Sequence, residues 1–199
     1  MFQVRVHGRG GQGVVTAAEL LSVAAFMEGR HAQAFPSFGS ERTGAPVVAF
    51  CRLDDREIRL REPVTDPDTV IVQDATLLHQ VAVFDGLRPD GYLLVNSART
   101  WAELGLSGFA AGFTPSRAAV VPATQLALRE IGRPVPNAAL LGGFAALTGQ
   151  VSIESVVAAI RERFAGAVAD GNEAAARAAF DEVRAQSAVP ANFGSSHGA

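Results

Sequence analysis

Residues 2–30 constrain the fold of this chain more than any other stretch. A short apolar run at residues 2–7 leads into Gly8-Arg9-Gly10-Gly11-Gln12-Gly13, and an apolar helical pattern follows over residues 14–28. Glycine lets the backbone adopt positive φ and brings bare N–H groups to the first turn of a helix, where an anion or a closely packed partner can sit. This strand, turn and helix predict an α/β fold with a Rossmann-like, mostly parallel sheet and helices on both faces.

The remaining sequence alternates between strand and helix patterns, as a fold of this class requires. Apolar and β-branched runs predict strands at residues 31–35, 69–73, 92–97, 109–113 and 120–121. Helical periodicity predicts helices at residues 75–84, 123–131 and 138–148, one more capped by Ser152, and a last one that starts at Asn172. Residues 47–53 and 56–60 flank two aspartates, and this pattern predicts an inserted β-hairpin.

The length of 199 residues and the 48% hydrophobic composition predict one globular domain, which we place at residues 1–186. Residues 187–199 have the composition of a disordered end. Our hypothesis for this tail is that a partner chain orders it.

Composition narrows the classes of function. The net charge of −3 gives no electrostatic reason to expect nucleic acid or an anionic membrane as a partner. All 17 basic residues are arginines, so the lysine of a phosphate-binding ATPase loop and lysine Schiff-base chemistry are excluded. The single cysteine excludes a self-contained iron–sulfur or zinc cluster, and the four histidines lack a paired spacing that would predict a metal site. No apolar run reaches about 18 residues, so we expect a cytoplasmic protein.

The glycine motif fits the pattern G-x-G-x-x-G, but an NAD-binding fold also needs an acid about 20 residues later for the ribose hydroxyls. Residues 31–36 contain neither Asp nor Glu, which argues against NAD. The turn then either holds a phosphate-bearing ligand or provides close packing at a subunit boundary, and the sequence leaves both open. Arg9 and Gln12 are the polar side chains best placed to contact a ligand or a partner.

A second polar segment, at residues 37–46, predicts a loop or a single helical turn. We expect it at the carboxyl side of the sheet, near the glycine turn, where ligands of open α/β sheets gather. Glu41 and Arg42 there either pair with each other or reach a ligand, and solvated surface charge is the more common explanation for such a pair.

Three further polar residues favour structural roles. His7 lies at a predicted strand end, Cys51 lies within an apolar strand, and Asp74 follows a buried strand where it can cap the next helix. No catalytic triad, acid pair or metal cluster emerges, so the chain alone is a poor candidate for an enzyme.

The glycine motif occurs together with Ser37-Phe-Gly-Ser-Glu-Arg-Thr-Gly-Ala-Pro-Val47, and both are followed by Val121-Pro-Ala-Thr and Asn137-Ala-Ala-Leu-Leu-Gly142. This combination resembles the gamma subunit, or fused gamma domain, of the 2-oxoacid:acceptor oxidoreductases, which include the pyruvate:ferredoxin oxidoreductases. The resemblance covers roughly residues 2–165. The beta subunits of indolepyruvate oxidoreductases share this domain, and a phenylglyoxylate-type enzyme is another home that the resemblance allows.

The resemblance implies a gamma-type subunit in a complex with alpha-, beta- and delta-type subunits. In such a complex, thiamine diphosphate, magnesium and iron–sulfur clusters lie on partner subunits, and a 2-oxoacid is oxidatively decarboxylated to an acyl-CoA. Ferredoxin, or NAD through a linked subunit, accepts the electrons. The gamma chain itself carries no metal and no catalytic residue, and its implied role is to support assembly and the coenzyme A side of the active site.

The site residues implied by the resemblance lie in the two early motifs. They are Gly8, Arg9, Gly10, Gly11, Gln12, Gly13, Ser37, Gly39, Glu41, Arg42 and Gly44. The alternative function is a free-standing Rossmann-like domain that binds a nucleotide or coenzyme A. The resemblance does not name the 2-oxoacid.

Overall fold

The computed structural model describes residues 1–37, 43–114 and 116–188. Its strands are β1 (Phe2–Arg9), β2 (His31–Pro36), β3 (Pro46–Asp54), β4 (Thr69–Val72), β5 (Tyr92–Asn96) and β6 (Ala118–Val121). Its α-helices are α1 (Val14–Met27), α2 (Ser107–Ala110), α3 (Ala123–Ile131), α4 (Asn137–Thr148), α5 (Ile153–Arg163) and α6 (Gly166–Ala188), and a short 3-10 helix spans Ala75–His79.

The strands form one six-stranded sheet in the order β2-β3-β1-β4-β5-β6. Strands β1, β4, β5 and β6 are parallel neighbours, whereas β3 lies antiparallel between β1 and β2. The chain therefore moves from β1 toward one edge of the sheet and then returns to β4 on the other side of β1. In folds of this kind, ligands bind at the carboxyl ends of the strands where this direction reverses. The glycine turn, at the carboxyl end of β1, lies at that point.

One face of the sheet carries the main apolar core. Alternate residues of the strands, such as Val4, Val6 and Leu53, are buried there against helices α1, α4 and α5. Cys51 is fully buried in the same cluster, and burial raises the pKa of its thiol, so the predicted role of a small buried hydrophobe is confirmed.

Two long segments cover part of the other face, and buried arginines hold them there. Arg5 is buried, and its Nη2 donates to the carbonyl oxygens of Val83 (3.1 Å) and Asp85, while its Nη1 donates to that of Val64 (3.4 Å). Its Nε donates to Nε2 of His7 at 3.0 Å, so the neutral imidazole acts as an acceptor. Arg5 thereby ties two loops to the central strand through their backbone.

Arg52 plays the same role on the neighbouring strand. Its Nε donates to Oε1 of Gln3 (3.1 Å), and its other nitrogens donate to the carbonyl oxygens of Leu60 (3.5 Å) and Glu62 (2.5 Å). The guanidinium also lies over the ring of Phe35, 5.2 Å from its centroid. A buried cation needs such partners because desolvation is costly.

These contacts explain why one predicted element is wrong. Residues 56–60 do not form the second arm of a hairpin, because the backbone that follows β3 runs across the sheet and presents its carbonyl at Leu60 to Arg52. The hairpin of the structure is instead formed by β2 and β3, which pair antiparallel.

Three other predicted elements differ in the structure. Residues 75–84 form only the short 3-10 helix, and residues 109–113 lie in α2 and the turn after it rather than in a strand. The last helix begins at Gly166 instead of Asn172. Gly171 lies inside this helix. Its lack of a side chain lets α6 pack closely on Glu130 and Ile131, because any Cβ there would collide with them. Of the tail predicted at residues 187–199, Ser187 and Ala188 lie in α6, and the rest lies outside the described residues, as does Pro115.

No helix in the described ranges is both long enough and apolar enough to cross a membrane.

The pair Gly142 and Gly143 tests how closely α4 packs on α6. A Cβ built on Gly142 would lie far inside 3.0 Å of the backbone of Ala176, whereas one on Gly143 would meet only side-chain atoms of Leu94 and Val183 at 3.4 Å. We predict that Gly142→Ala lowers the free energy of unfolding by about 1–3 kcal/mol through overpacking. The matched control, Gly143→Ala, should be neutral or stabilising by up to about 1 kcal/mol, because alanine favours helix.

Urea denaturation of the two variants checks this prediction. Equal losses of stability would show that the contact between α4 and α6 is looser than the structure indicates.

His7 provides a prediction about acid stability. Burial, and then the nearby charge of Arg5, lower the pKa of His7 to about 4. The unfolded chain takes up this proton near pH 6.5 and the folded chain only near 4, so stability falls as the pH drops through that window. The variant His7→Gln keeps an acceptor for Arg5 but cannot take up the proton. We predict that its free energy of unfolding falls by on the order of 3 kcal/mol less than that of the wild type when the pH drops from 7 to 4.

The measurement is the free energy of unfolding of both proteins at several pH values between 7 and 4. Parallel curves for the wild type and the variant would contradict the assigned role of His7.

Candidate functional site

The glycine turn joins β1 to α1, and its glycines meet different physical requirements. Gly8 has no room for a side chain, because a Cβ would lie 2.5 Å from Cγ2 of Val14 and 3.1 Å from Oε1 of Gln73. Gly11 and Gly13 have φ values of 92° and 71°, which favour glycine. Gly8 therefore serves helix–strand packing, and Gly11 and Gly13 shape the turn.

The backbone of Gly10 connects the glycine turn to the end of the second polar segment. Its N–H donates to the carbonyl of Ala45 at 3.0 Å, and its carbonyl accepts from the N–H of Gly44 at 3.1 Å. Thr43 forms a parallel bridge with Gly10. The structure thus brings the two motifs together at the carboxyl side of the sheet, as the sequence predicts for this segment.

Ser37 lies at the other end of that segment, where its N–H donates to the carbonyl of Val48 at 2.8 Å. The predicted site residues Gly39, Glu41 and Arg42 lie outside the described residues.

Arg9 connects three loops through its guanidinium. Its Nε lies 3.2 Å from Oδ2 of Asp74, its Nη1 donates to the carbonyl of Gly44 (3.0 Å), and its Nη2 donates to Oγ1 of Thr76 (2.6 Å) and Oε1 of Gln80 (2.7 Å). Each nitrogen of the group already has a partner within the chain. Arg9 therefore positions the loops in this structure, rather than presenting a free cation to a ligand.

Gln12 and Asp74 complete this network. The amide of Gln12 accepts from the N–H of Arg9 (2.8 Å) and donates to Oδ2 of Asp74 (2.8 Å). Oδ1 of Asp74 accepts from the N–H of Thr76 (2.9 Å), so the predicted helix cap is confirmed. Burial acts to raise the pKa of Asp74, but hydrogen bonds from Thr76 and Gln12 and the charge of Arg9 outweigh it and hold the pKa below its usual value. We name this set, Arg9, Gln12, Asp74, Thr76 and Gln80, the switch-point network.

Two clefts adjoin the glycine turn, and the first of them is also lined by Arg9 of the switch-point network. One, of about 240 Å³, lies against the first turn of α1 and is lined by Gly10, Gly11 and Val15 among others. The first N–H to bond inside α1 is that of Ala17, which donates to Gly13 at 2.9 Å. The earlier N–H groups have no partner within the helix and carry the positive end of its dipole, so this end of α1 favours an anion.

The second cleft, of about 230 Å³, shares Gly11, Gly13 and Thr16 with the first. It is lined by Gly13 and Thr16 of the turn and α1, by Asn137 at the start of α4, and by the two arginines Arg133 and Arg163. Two helix N-termini and two arginines line this cleft, whereas the first has one helix N-terminus and Arg9, whose charge is paired with Asp74. Such an arrangement suits a phosphate group.

Sequence reasoning missed Arg133 and Arg163. Arg133 follows the end of α3, and Arg163 is the last residue of α5. A basic residue at a helix end commonly interacts with the last carbonyl groups of that helix. Nothing in their local sequence distinguishes them from ordinary helix-end arginines. Only the packing of α3 and α5 beside the glycine turn brings them to this cleft.

The two later motifs also have a place in this site. Asn137 packs against the turn, since a Cβ on Gly13 would lie 2.6 Å from its Nδ2. Thr124, in the first turn of α3, exchanges hydrogen bonds with Asn96: its N–H donates to Oδ1 at 3.1 Å, and its Oγ1 accepts from Nδ2 at 2.7 Å. The end of β5 thereby fixes the start of α3.

Comparison with known proteins agrees with this arrangement. The family model described as pyruvate ferredoxin/flavodoxin oxidoreductase matches residues 3–182. A pyruvate synthase subunit PorC of Methanothermobacter marburgensis is 47% identical over 186 residues, which is 92% of this chain and 98% of that protein. The common gamma subunit of the pyruvate/ketoisovalerate oxidoreductases of Pyrococcus abyssi is 46% identical over 184 residues, again 92% and 98% of the two chains.

Two solved structures have a similar fold. The pyruvate oxidoreductase subunit PORC of Thermotoga maritima superposes with a TM-score of 0.78 at 39% identity, over 90% of this chain and 95% of that one. A 2-oxoglutarate:ferredoxin oxidoreductase of Magnetococcus marinus, solved with coenzyme A bound, shares the fold with a TM-score of 0.69 at 18% identity, over 94% of this chain and 31% of that one.

The fold and the site thus define a gamma-type α/β subunit. The chain belongs to the pyruvate ferredoxin/flavodoxin oxidoreductase family, and both the resemblance and the fold class that the sequence predicts are confirmed.

The switch-point network gives a prediction about pH. The lowered pKa of Asp74 means that its carboxylate stabilises the fold fully above the unfolded pKa of about 3.9, and that this stability is lost as the pH falls through the lower folded value. Asp74→Asn keeps a capping oxygen but removes the charge. We predict a loss of about 1 kcal/mol at pH 7 that disappears at strongly acidic pH.

Chemical denaturation of the wild type and the variant at pH 7, 5 and 3 checks it. A difference that stays constant over this range would show that the charge of Asp74 contributes nothing to the network.

Proposed function

We propose that this chain is the gamma subunit of a multisubunit 2-oxoacid:ferredoxin oxidoreductase that converts a 2-oxoacid and coenzyme A to an acyl-CoA and carbon dioxide. The family match and the names of the relatives support this proposal. Among the 2-oxoacid types that the sequence leaves open, the relatives favour pyruvate, with ketoisovalerate as a second substrate of complexes that share a gamma subunit.

The proposed partners are alpha-, beta- and delta-type subunits, with ferredoxin rather than NAD as the electron acceptor. Thiamine diphosphate with magnesium and the iron–sulfur clusters belong to these partners in the proposal, where they supply decarboxylation and electron transfer. Within the described residues of this chain, no group of three or more His, Cys, Asp or Glu side chains is placed to hold a metal ion.

The observation that carries the proposed role is the switch-point network. The two family motifs meet at Gly10, and Arg9 ties both to the loop after β4, so that this corner of the subunit is fixed by internal contacts. A rigid surface of this kind can pack against a larger catalytic subunit. In the proposal, its glycines allow the close approach.

We propose further that the cleft between Arg133 and Arg163 receives a phosphate group of coenzyme A. Coenzyme A carries several phosphate charges, and the cleft offers two guanidinium groups and two helix N-termini. Arg9 and Gln12 then act by positioning the turn. Gly39, Glu41 and Arg42 remain candidates for the same ligand.

The alternative, a free-standing domain that binds a nucleotide or coenzyme A, rests on the same clefts. Reconstitution distinguishes the two. We expect the chain to co-purify with co-expressed partner subunits, and we expect pyruvate- and coenzyme A-dependent ferredoxin reduction to require it. A chain that stays monomeric beside its partners, with the activity unchanged when it is omitted, would contradict the proposal.

A pair of substitutions tests the coenzyme A contact. We predict that Arg133→Gln and Arg163→Gln each raise the KM for coenzyme A by about tenfold in the complex, with the KM for pyruvate unchanged, because each removes a charge-assisted contact. Arg59→Gln is the matched control, since Arg59 is exposed and pairs only with Glu57 at 2.8 Å among the described residues.

Calorimetric titration of the complex with coenzyme A supplies a second measurement for these variants. Binding that is equally tight in all three would remove Arg133 and Arg163 from the proposed site.

A further inference from the structure

Two arginines in the second cleft beside the glycine turn have no carboxylate partner among the described residues. Arg161, two residues before the end of α5, pairs with Asp170 at 3.1 Å and also with Glu173. Arg133 and Arg163 line the cleft and form no such ion pair within the described ranges. Both of their charges are therefore available to an anionic ligand.

Two buried asparagines each present one polar atom beside these arginines. Asn137 and Asn172 are only 3% and 4% exposed, and both line the cleft. Oδ1 of Asn137 accepts from the N–H of Ala138 at 2.8 Å, which leaves Nδ2 as a donor without a partner among the described residues. Nδ2 of Asn172 donates to the carbonyl of Val168 at 2.8 Å, which leaves Oδ1 as an acceptor without a described partner.

The place of the Asn137 donor follows from its contact with the glycine turn. A Cβ built on Gly13, which also lines the cleft, would lie 2.6 Å from Nδ2 of Asn137. Asn137 is also the first residue of α4, where the backbone N–H groups have no partner within the helix. An unpaired polar atom in a buried place costs about 1–3 kcal/mol, so these groups indicate a ligand that pairs with them.

The donor and the acceptor place different requirements on that ligand. The oxygen atoms of a phosphate accept from guanidinium groups, from Nδ2 of Asn137 and from the N–H groups at the start of α4. A fully ionised phosphate has no donor for Oδ1 of Asn172. A ligand that satisfies all of these groups therefore carries a hydroxyl group beside its phosphate. A ribose phosphate has this chemistry, because its phosphate ester and a free hydroxyl lie on adjacent carbon atoms.

We propose that this cleft binds the ribose 3′-phosphate of coenzyme A, with the phosphate held by Arg133 and Arg163 and the 2′-hydroxyl donating to Oδ1 of Asn172. This inference rests on the proposed function and adds which end of coenzyme A the chain recognises. The cleft volume of about 230 Å³ is smaller than the roughly 300–1,000 Å³ of a pocket that encloses a whole ligand. The cleft therefore holds one end of the molecule.

Charge favours the 3′-phosphate over the diphosphate of the same molecule. The 3′-phosphate is a monoester, and a phosphate monoester carries a charge of about −1.5 to −2 at pH 7. Each phosphate of the diphosphate linkage carries one charge and has no free hydroxyl on an adjacent carbon. The two unpaired arginines and Asn172 thus match the monoester and its neighbouring hydroxyl better than they match the diphosphate.

Calorimetric titration of the reconstituted complex with coenzyme A and two analogues tests the proposal. Dephospho-coenzyme A lacks the 3′-phosphate, and we expect it to bind about 30-fold more weakly than coenzyme A. The 2′-deoxy analogue lacks only the hydroxyl group and should bind about fivefold more weakly. These comparisons use the wild-type chain, so they do not depend on the folding of any variant.

Substitutions then assign each ligand group to its residue. Arg133→Gln and Arg163→Gln should each reduce the preference for coenzyme A over dephospho-coenzyme A from about 30-fold to about threefold. Asn172→Ala should weaken coenzyme A binding by about fivefold and leave the affinity for the 2′-deoxy analogue unchanged, a pattern that a purely structural role would not produce. Arg161→Gln, on the same helix as Arg163, is the matched control and should leave all three affinities unchanged.

Equal affinities for coenzyme A and dephospho-coenzyme A would overturn this inference, whereas the proposed function would stand. Binding of neither compound would contradict the proposed function as well. NADP is a second source of the same chemistry, because it carries a ribose 2′-phosphate beside a 3′-hydroxyl. If NADP bound more tightly than coenzyme A and Arg133→Gln weakened its binding, the assignment to coenzyme A would be wrong.

Discussion

The ion pair between Arg9 and Asp74 closes the point where the sheet changes direction, and the surrounding loops depend on it. In an open α/β sheet this crevice is the usual place for a ligand. Here the side chains at the ends of β1 and β4 are bonded to one another, and Gly44 brings the second motif to the same guanidinium. The space available to a ligand lies in the two clefts that share Gly11, Gly13 and Thr16.

The sequence predicts the glycine turn well because its signal is local. Glycines between a strand and a helix have few physical explanations, and the lack of an acid in residues 31–36 argues against NAD binding as one of them. The cationic cleft could not be predicted in the same way. Arg133 and Arg163 are far apart in sequence, and each has an ordinary local explanation at a helix end, so their shared role depends on tertiary packing alone.

The errors in the predicted fold have the same origin. Residues 56–60 alternate like a strand, yet the buried Arg52 requires carbonyl partners and takes one from this segment at Leu60. The sequence predicts that the last helix starts at Asn172, yet α6 begins at Gly166, and Gly171 inside it packs closely on the end of α3. In both places a long-range contact overrides a local preference. The parallel strands, whose apolar runs are buried on both faces, are predicted correctly because burial itself sets their composition.

The two faces of the sheet show how this chain separates stability from assembly. One face is closed by apolar packing of α1, α4 and α5, and the other by a smaller apolar cluster together with guanidinium groups that bind loop backbone. At the carboxyl edge, the described charged side chains Arg9 and Asp74 are paired with each other. In our proposal, a subunit built in this way contributes shape and fixed backbone N–H groups to the reaction. In our proposal, the chemistry of the reaction comes from the partner subunits that close against the glycine turn.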